Sequence, residues 1–196
     1  ALADGRAGNL AGGTHHAFAD HGEGFCVLND VAITIRRLQH EDLLRRALVI
    51  DLDVHQGNGT AALFQENPSV FTFSMHGEKN YPHRKERSDL DIGLADGTDD
   101  SSYLAILDWN LKKLIDEVKP DFMLYQSGVD VLASDQLGRL SLTLEGVHAR
   151  DRLVLSTAKS QGIPIMCCMG GGYSKRIKDI VEAHAQVFRL AQDLFF

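Results

Sequence analysis

Ala47-Leu48-Val49-Ile50-Asp51-Leu52-Asp53-Val54-His55 is the stretch on which the reading of this chain turns. Its first half is apolar and rich in β-branched residues, the pattern of a strand buried on both faces of a parallel sheet. Its second half alternates apolar and ionisable residues. Side chains two apart on extended backbone point to one side, so Asp51, Asp53 and His55 can converge. Carboxylate and imidazole together suit a divalent ion of borderline softness. A strand running into a polar loop is the plainer reading, and it fits this stretch equally well.

Working outward, residues 70–75 (VFTFSM), 122–126 (FMLYQ) and 163–169 (IPIMCCM) are further apolar runs ending in polar or glycine-rich tips. Helix-period stretches lie between them, at about residues 29–40, 101–118, 144–160 and 174–194. Thr143-Leu144-Glu145-Gly146 offers a helix start and Lys119-Pro120 a stop. Alternating strands and helices predict an α/β fold of three layers, a parallel sheet with helices on both faces. Residues 77–100 are polar, highly charged and resist assignment; so long a loop in a compact domain is usually functional. With no repeat or linker, residues 1–196 read as one domain.

Composition narrows the function. The 196 residues carry a net charge of −7, which disfavours nonspecific nucleic-acid binding. Cys26, Cys167 and Cys168 make no disulfide framework and suit a reducing cytoplasm. No run has membrane-spanning length. The chain opens Ala1-Leu2-Ala3-Asp4-Gly5, without methionine, and reads as a fragment.

Ligands of such a sheet bind beyond the carboxyl ends of its strands, so the polar tips carry the information. Gly12-Gly13-Thr14-His15-His16 follows a short apolar stretch, residues 8–11. It is either a functional histidine pair or a surface one. Gln126-Ser127-Gly128-Val129-Asp130 ends a strand on an acid, which could equally be a turn residue. Gly170-Gly171-Gly172-Tyr173 permits close backbone approach and offers a phenol, or is only a tight turn.

Taken in order, GGTHHA, GFCVLND, DLDVHQGNG, QSGVD and GGGY resemble the signature series of the histone deacetylase superfamily. That superfamily also includes acetylpolyamine amidohydrolases and acetoin-utilisation proteins. Gln56 and Asn58, the segment YPHRKERSDLDIGL and the ending GGGYSKR look most like class IV histone deacetylases. The resemblance covers essentially the whole chain, as the C-terminal two-thirds of a deacetylase-like catalytic domain with the arginase/deacetylase-like fold.

The resemblance implies a Zn²⁺-dependent amidohydrolase, with Fe²⁺ as an alternative ion, held by Asp53, His55 and Asp130. It implies His15 and His16 as tandem histidines, Asp51 orienting His15, Asn58 behind His16, and Tyr173 donating to the oxyanion. Gly24, Phe25, Tyr81, Gly171 and Gly172 would form the substrate channel. A structural K⁺ would be bound by Asp51, Asp53, His55, Ser74 and Met75. The expected substrate is acyl-lysine in protein, with no nucleic acid or membrane partner; an acetylpolyamine or other small acylated amine is the alternative.

Two departures stand out. Asn58 occupies a place where the family often has aspartate, so His16 should stay neutral and His15, backed by Asp51, should hold a proton more readily. The region that precedes these motifs in the family, including the first strand, has no counterpart here. Its lack predicts an open sheet edge, association between copies and weak activity of the fragment alone. Two rival readings exist: a non-catalytic binding protein, which should have lost a ligand or the tyrosine, and an arginase-like binuclear hydrolase. The latter needs further acids, where this chain has Gln56 and Asn58.

Overall fold

Period-two alternation in the apolar strands sends their side chains into two separate cores. In a computed structural model, which describes residues 1–196, Leu48 and Ile50 enter one core and Ala47 and Val49 the other. The same split divides Met123 and Tyr125 from Phe122 and Leu124, and Cys167 from Met166 and Cys168.

The strands are β1 (Arg6–Asn9), β2 (Ala47–Asp51), β3 (Val70–Gly77), β4 (Leu90–Leu94), β5 (Phe122–Gln126) and β6 (Ile165–Cys168). The helices are α1 (Asp30–His40), α2 (Asn58–Phe64), α3 (Asp100–Val118), α4 (Leu144–Gln161) and α5 (Ile177–Phe195). All pairings are parallel, in the order β1-β6-β5-β2-β3-β4. The core of 29 buried residues lies under α3, α4 and α5; that of 12 lies under α1 and α2. This is the three-layer α/β arrangement expected from the sequence. The larger core, with the longer helices, carries most of the apolar burial.

Local signals set the helix ends. Asp99 and Thr143 cap α3 and α4, accepting from Ser102 N and Gly146 N at 2.9 and 3.0 Å. Each such cap stabilises its helix by about 1 kcal/mol. At the other end α3 stops at Lys119, whose left-handed φ of 49° turns the chain into Pro120.

Two elements differ from the sequence reading. Within residues 77–100, Leu90–Leu94 forms β4 on the outer side of β3, with its odd members exposed. In DLDVHQGNG, Asn58–Phe64 forms the short, largely buried α2. The short apolar stretch at residues 8–11 begins inside β1, which pairs with β6 alone and leaves its outer side at the sheet edge. No helix is long and apolar enough to cross a membrane.

Candidate active site

Along the sheet, β3 and β4 follow β2 on one side while β5 and β6 lie on the other, so the chain order reverses between β2 and β5. Crevices at such reversals receive ligands in open α/β sheets. Asp53 and His55 follow β2 there, and Asp130 follows β5. Leu52 and Val54 are packed in the larger core, which turns Asp51, Asp53 and His55 the other way.

Asp53, His55 and Asp130 are buried, and their donor atoms lie within 4.8 Å of one another. Nδ1 of His55 is 3.0 Å from Asp53 Oδ1 and 3.1 Å from Asp130 Oδ2. Asp53 also accepts from Gly171 N at 2.7 Å, and Asp130 from Val54 N at 2.9 Å. A Cβ at Gly171 would collide with Asp130 Oδ2, so glycine is required for this approach.

Burial opposes charge on His55, yet hydrogen bonds to Asp130 and Asp53 outweigh it and raise its pKa to about 10. Burial and the Asp53 charge push Asp130 up to about 7, while Asp53 is held well below the usual range despite burial, chiefly by the His15 charge and by His55. The cluster thus retains protons, on His55 and in part on Asp130, to balance its buried charge. A divalent cation would supply the same balance, and the donor set of two carboxylate oxygens and one imidazole suits it.

His15 and His16 stand side by side, ring centroids 4.1 Å apart. Nδ1 of His15 lies 2.7 Å from Asp51 Oδ2, and Nδ1 of His16 lies 2.6 Å from Asn58 Oδ1. Burial works against the charged form of both. For His15 the Asp51 and Asp53 carboxylates override it and raise the pKa to about 9. For His16 the neighbouring His15 charge adds to it, and the pKa falls to about 3. The pair is therefore polarised, one ring charged and one neutral. Its loop rests on α2: Thr60 N donates to His15 O at 3.0 Å, and a Cβ at Gly59 would strike the backbone of His16 and Ala17.

A cavity of about 450 Å³ opens over these groups, lined by His16, Gly24, Phe25, His55, Tyr81 and Tyr173 among others. Glu23 and Cys26 exchange backbone hydrogen bonds around a two-residue turn in which Gly24 and Phe25 have φ of 51° and 67°. Both left-handed positions belong to a type I′ hairpin, and the phenylalanine accepts strain to stand exposed at the rim. Burial, followed by the charges of Asp53 and Asp130, raises Tyr173 to about 12, so its hydroxyl keeps its proton. An added Cβ at Gly171 would meet Asp130, and one at Gly172 would meet Val129 and Ile180 of α5, so only glycine lets this backbone run so close to the carboxylate and the helix.

Asp51, Asp53, His55, Ser74 and Met75 are all buried, and the register of β2 and β3 sets Asp51 beside Ser74. The Ser74 hydroxyl is engaged by His76 Nδ1 at 2.9 Å. Gln56 anchors the following loop through Glu86 O and Asp91 Oδ1, at 2.8 and 2.7 Å. It therefore adds no acid beside the cluster.

Four residues escaped the sequence reading. Glu23 accepts from Asn58 Nδ2 at 2.8 Å and from the Tyr81 hydroxyl, placing a carboxylate behind the amide that faces His16. Asp30 accepts from Gly13 N, Thr14 N and the Thr14 hydroxyl, tying down the histidine loop. Asp135 accepts from Tyr173 N at 2.6 Å. Arg150, fully buried, donates to Leu52 O, Gly128 O and Ser127 O and so bridges the ends of β2 and β5. The available signals were the adjacency of Glu23 to GFCVLND and the place of Asp30 as that motif's last residue; Asp135 and Arg150 left none.

The family model described as the histone deacetylase domain matches residues 3–188. An uncharacterized protein of Picosynechococcus is 53% identical over 195 residues, covering all of this chain and 65% of its own. Histone deacetylase RPD3 of Saccharomyces cerevisiae is 38% identical over 183 residues, covering 86% of this chain and 40% of its own. Human histone deacetylase 1 is 35% identical over 179 residues, covering 86% of this chain and 36% of its own. The chain thus spans less than two thirds of the length of each.

Proposed function

The chain belongs to the histone deacetylase family, and from that premise we propose that it performs metal-dependent hydrolysis of an acyl-amide bond, the deacylation of acyl-lysine in protein. The carrying observation is the buried Asp53–His55–Asp130 cluster beneath a cavity that His16 and Tyr173 also line.

Asp53, His55 and Asp130 would hold the ion, with Zn²⁺ favoured by the mixed oxygen and nitrogen donors and Fe²⁺ as the alternative. When bound, such an ion polarises the acyl carbonyl and acidifies water. Neutral His16 accepts the water proton as general base, and charged His15, held by Asp51, returns a proton to the departing amine. The Tyr173 hydroxyl donates to the oxyanion of the tetrahedral intermediate. Gly24, Phe25 and Tyr81 wrap the acyl-lysine stem and exclude water.

A panel of acyl-lysine peptides of increasing acyl length, beside N-acetylated polyamines, tests this with chelated and metal-restored protein. Turnover of acyl-lysine that vanishes on chelation, and falls roughly 10²-fold in Tyr173→Phe at unchanged metal content, is expected. Full turnover in Tyr173→Phe or after chelation contradicts the proposal.

A further inference from the structure

The segment that carries Tyr173 has little of its own to hold it in place. Residues 169–173 belong to no helix or strand, and Gly170, Gly171 and Gly172 make up most of them. Glycine has no side chain to anchor its backbone, so hydrogen bonds must fix the course of the chain here. Two of them hold Gly171, whose N donates to Asp53 Oδ2 and whose O accepts from Val129 N, each at 2.7 Å. At Tyr173 itself the anchor is Asp135, whose Oδ2 accepts from Tyr173 N at 2.6 Å. The other oxygen of Asp135 is engaged as well: Oδ1 accepts from Leu137 N at 2.9 Å and from Gly138 N at 2.8 Å. That turn brings Leu137 and Arg139 to the cavity mouth. Leu137 O accepts in turn from Asn80 Nδ2 at 2.7 Å, next to Tyr81. A Cβ at Gly138 would strike Asp130 O, so the turn lies directly on the Asp130 backbone. Its base is fixed, with Asp135 N donating to Leu132 O and Ala133 N to Leu142 O, both at 2.9 Å.

We propose that Asp135 is the positioning residue of the oxyanion donor: one carboxylate locks the Tyr173 backbone to the segment that carries Asp130 and to the mouth of the cavity at once. This role deepens the deacylase reading above and rests on it for the task of the Tyr173 hydroxyl. The hydroxyl stands at the far end of a long side chain, so a small tilt of the backbone becomes a larger displacement at the oxygen. Oxyanion stabilisation needs its donor placed to within about half an ångström. Both oxygens are required. Asparagine keeps the size of the side chain but offers one acceptor oxygen, so it can close the turn or hold Tyr173 N and not both.

The test is Asp135→Asn, alone and combined with Tyr173→Phe, in the chain as purified and carrying ring-¹³C tyrosine. Tyr173→Phe assigns the Tyr173 ring signal among the four tyrosines. In the parent that signal should be offset from that of a solvated tyrosine, and in Asp135→Asn it should lose at least half of the offset. The Tyr173 N–H should exchange with solvent at least roughly 10-fold more slowly in the parent than in an unstructured chain, and lose that protection in Asp135→Asn. With metal and an acyl-lysine peptide, kcat should fall roughly 10-fold in Asp135→Asn while KM changes less than about three-fold. The same substitution made in Tyr173→Phe should cost less than about two-fold, because the hydroxyl it serves is already gone. A merely structural role would cost the same in both backgrounds. An unmoved ring signal, an undiminished kcat in Asp135→Asn, or an equal loss in the Tyr173→Phe background overturns the inference. Should Asp135→Asn fail to fold, the parent decides: a protected Tyr173 N–H upholds the anchor, and one exchanging at the unstructured rate overturns it. A parent without turnover sinks the deacylase reading, and the ring signal then decides the role of Asp135 by itself.

Discussion

At the scale of single residues, the site works by unequal treatment of two adjacent histidines. Asp51 and Asp53 hold His15 charged, while burial and the His15 charge keep His16 neutral. Asn58 lacks a charge of its own, but its amide nitrogen reaches Glu23, so a carboxylate stands one residue further back. The Tyr81 hydroxyl, with help from Asn58, holds that carboxylate below the usual range. Glu23 therefore favours the imidazolium form of His16 through the amide. Removing the charge in Glu23→Gln makes His16 easier to keep neutral. The acidic limb of the kcat/KM profile should then move to lower pH, by roughly half a unit to one unit. Asn58→Asp should move it the other way. A limb that stays in place in both variants would show that neither side chain communicates with His16. Of this network, His15, His16, Asp51, Asp53 and Asn58 were legible in the sequence motifs, and Glu23 was not. Glu23 meets Asn58 across 35 positions, and nothing local marks a pairing between two loops.

At the scale of elements, the strands were legible because burial on both faces leaves continuous apolar runs, as in residues 47–51 and 122–126. The long helices announced themselves through capping residues such as Thr143 and through period. β4 and α2 did not. Leu90–Leu94 is a solvated edge strand whose Asp91 and Gly93 break the apolar signal. Asn58–Phe64 is short, and it begins on polar residues that the site uses. What joins β2 to β5 was invisible as well. Arg150 sits on α4, buried, donating to Leu52 O at 3.2 Å and Gly128 O at 2.6 Å while paired with Asp151 at 2.8 Å. Arg150→Met leaves three carbonyls and a buried carboxylate without their partner. The loss should be about 3–5 kcal/mol, read as a fall in the denaturant midpoint. Looser spacing of Asp53 and Asp130 should also weaken metal binding. A variant within about 1 kcal/mol of the parent would show that the strand ends are held by the sheet alone.

At the scale of the whole molecule, the reversal of chain order between β2 and β5 gathers residues from five separate motifs at one crevice. The resemblance read from those motifs indicated their company, and the register of the sheet accounts for it. The central claim is that Asp53, His55 and Asp130 together hold one divalent ion on which deacylation depends. Calorimetric titration of the metal-free chain with Zn²⁺, beside Asp130→Ala, tests it most directly. The account predicts one ion per chain, released protons as the ligands give them up, and affinity lowered at least 100-fold in the variant. Equal affinity in Asp130→Ala and the parent, or no binding in either, would contradict it.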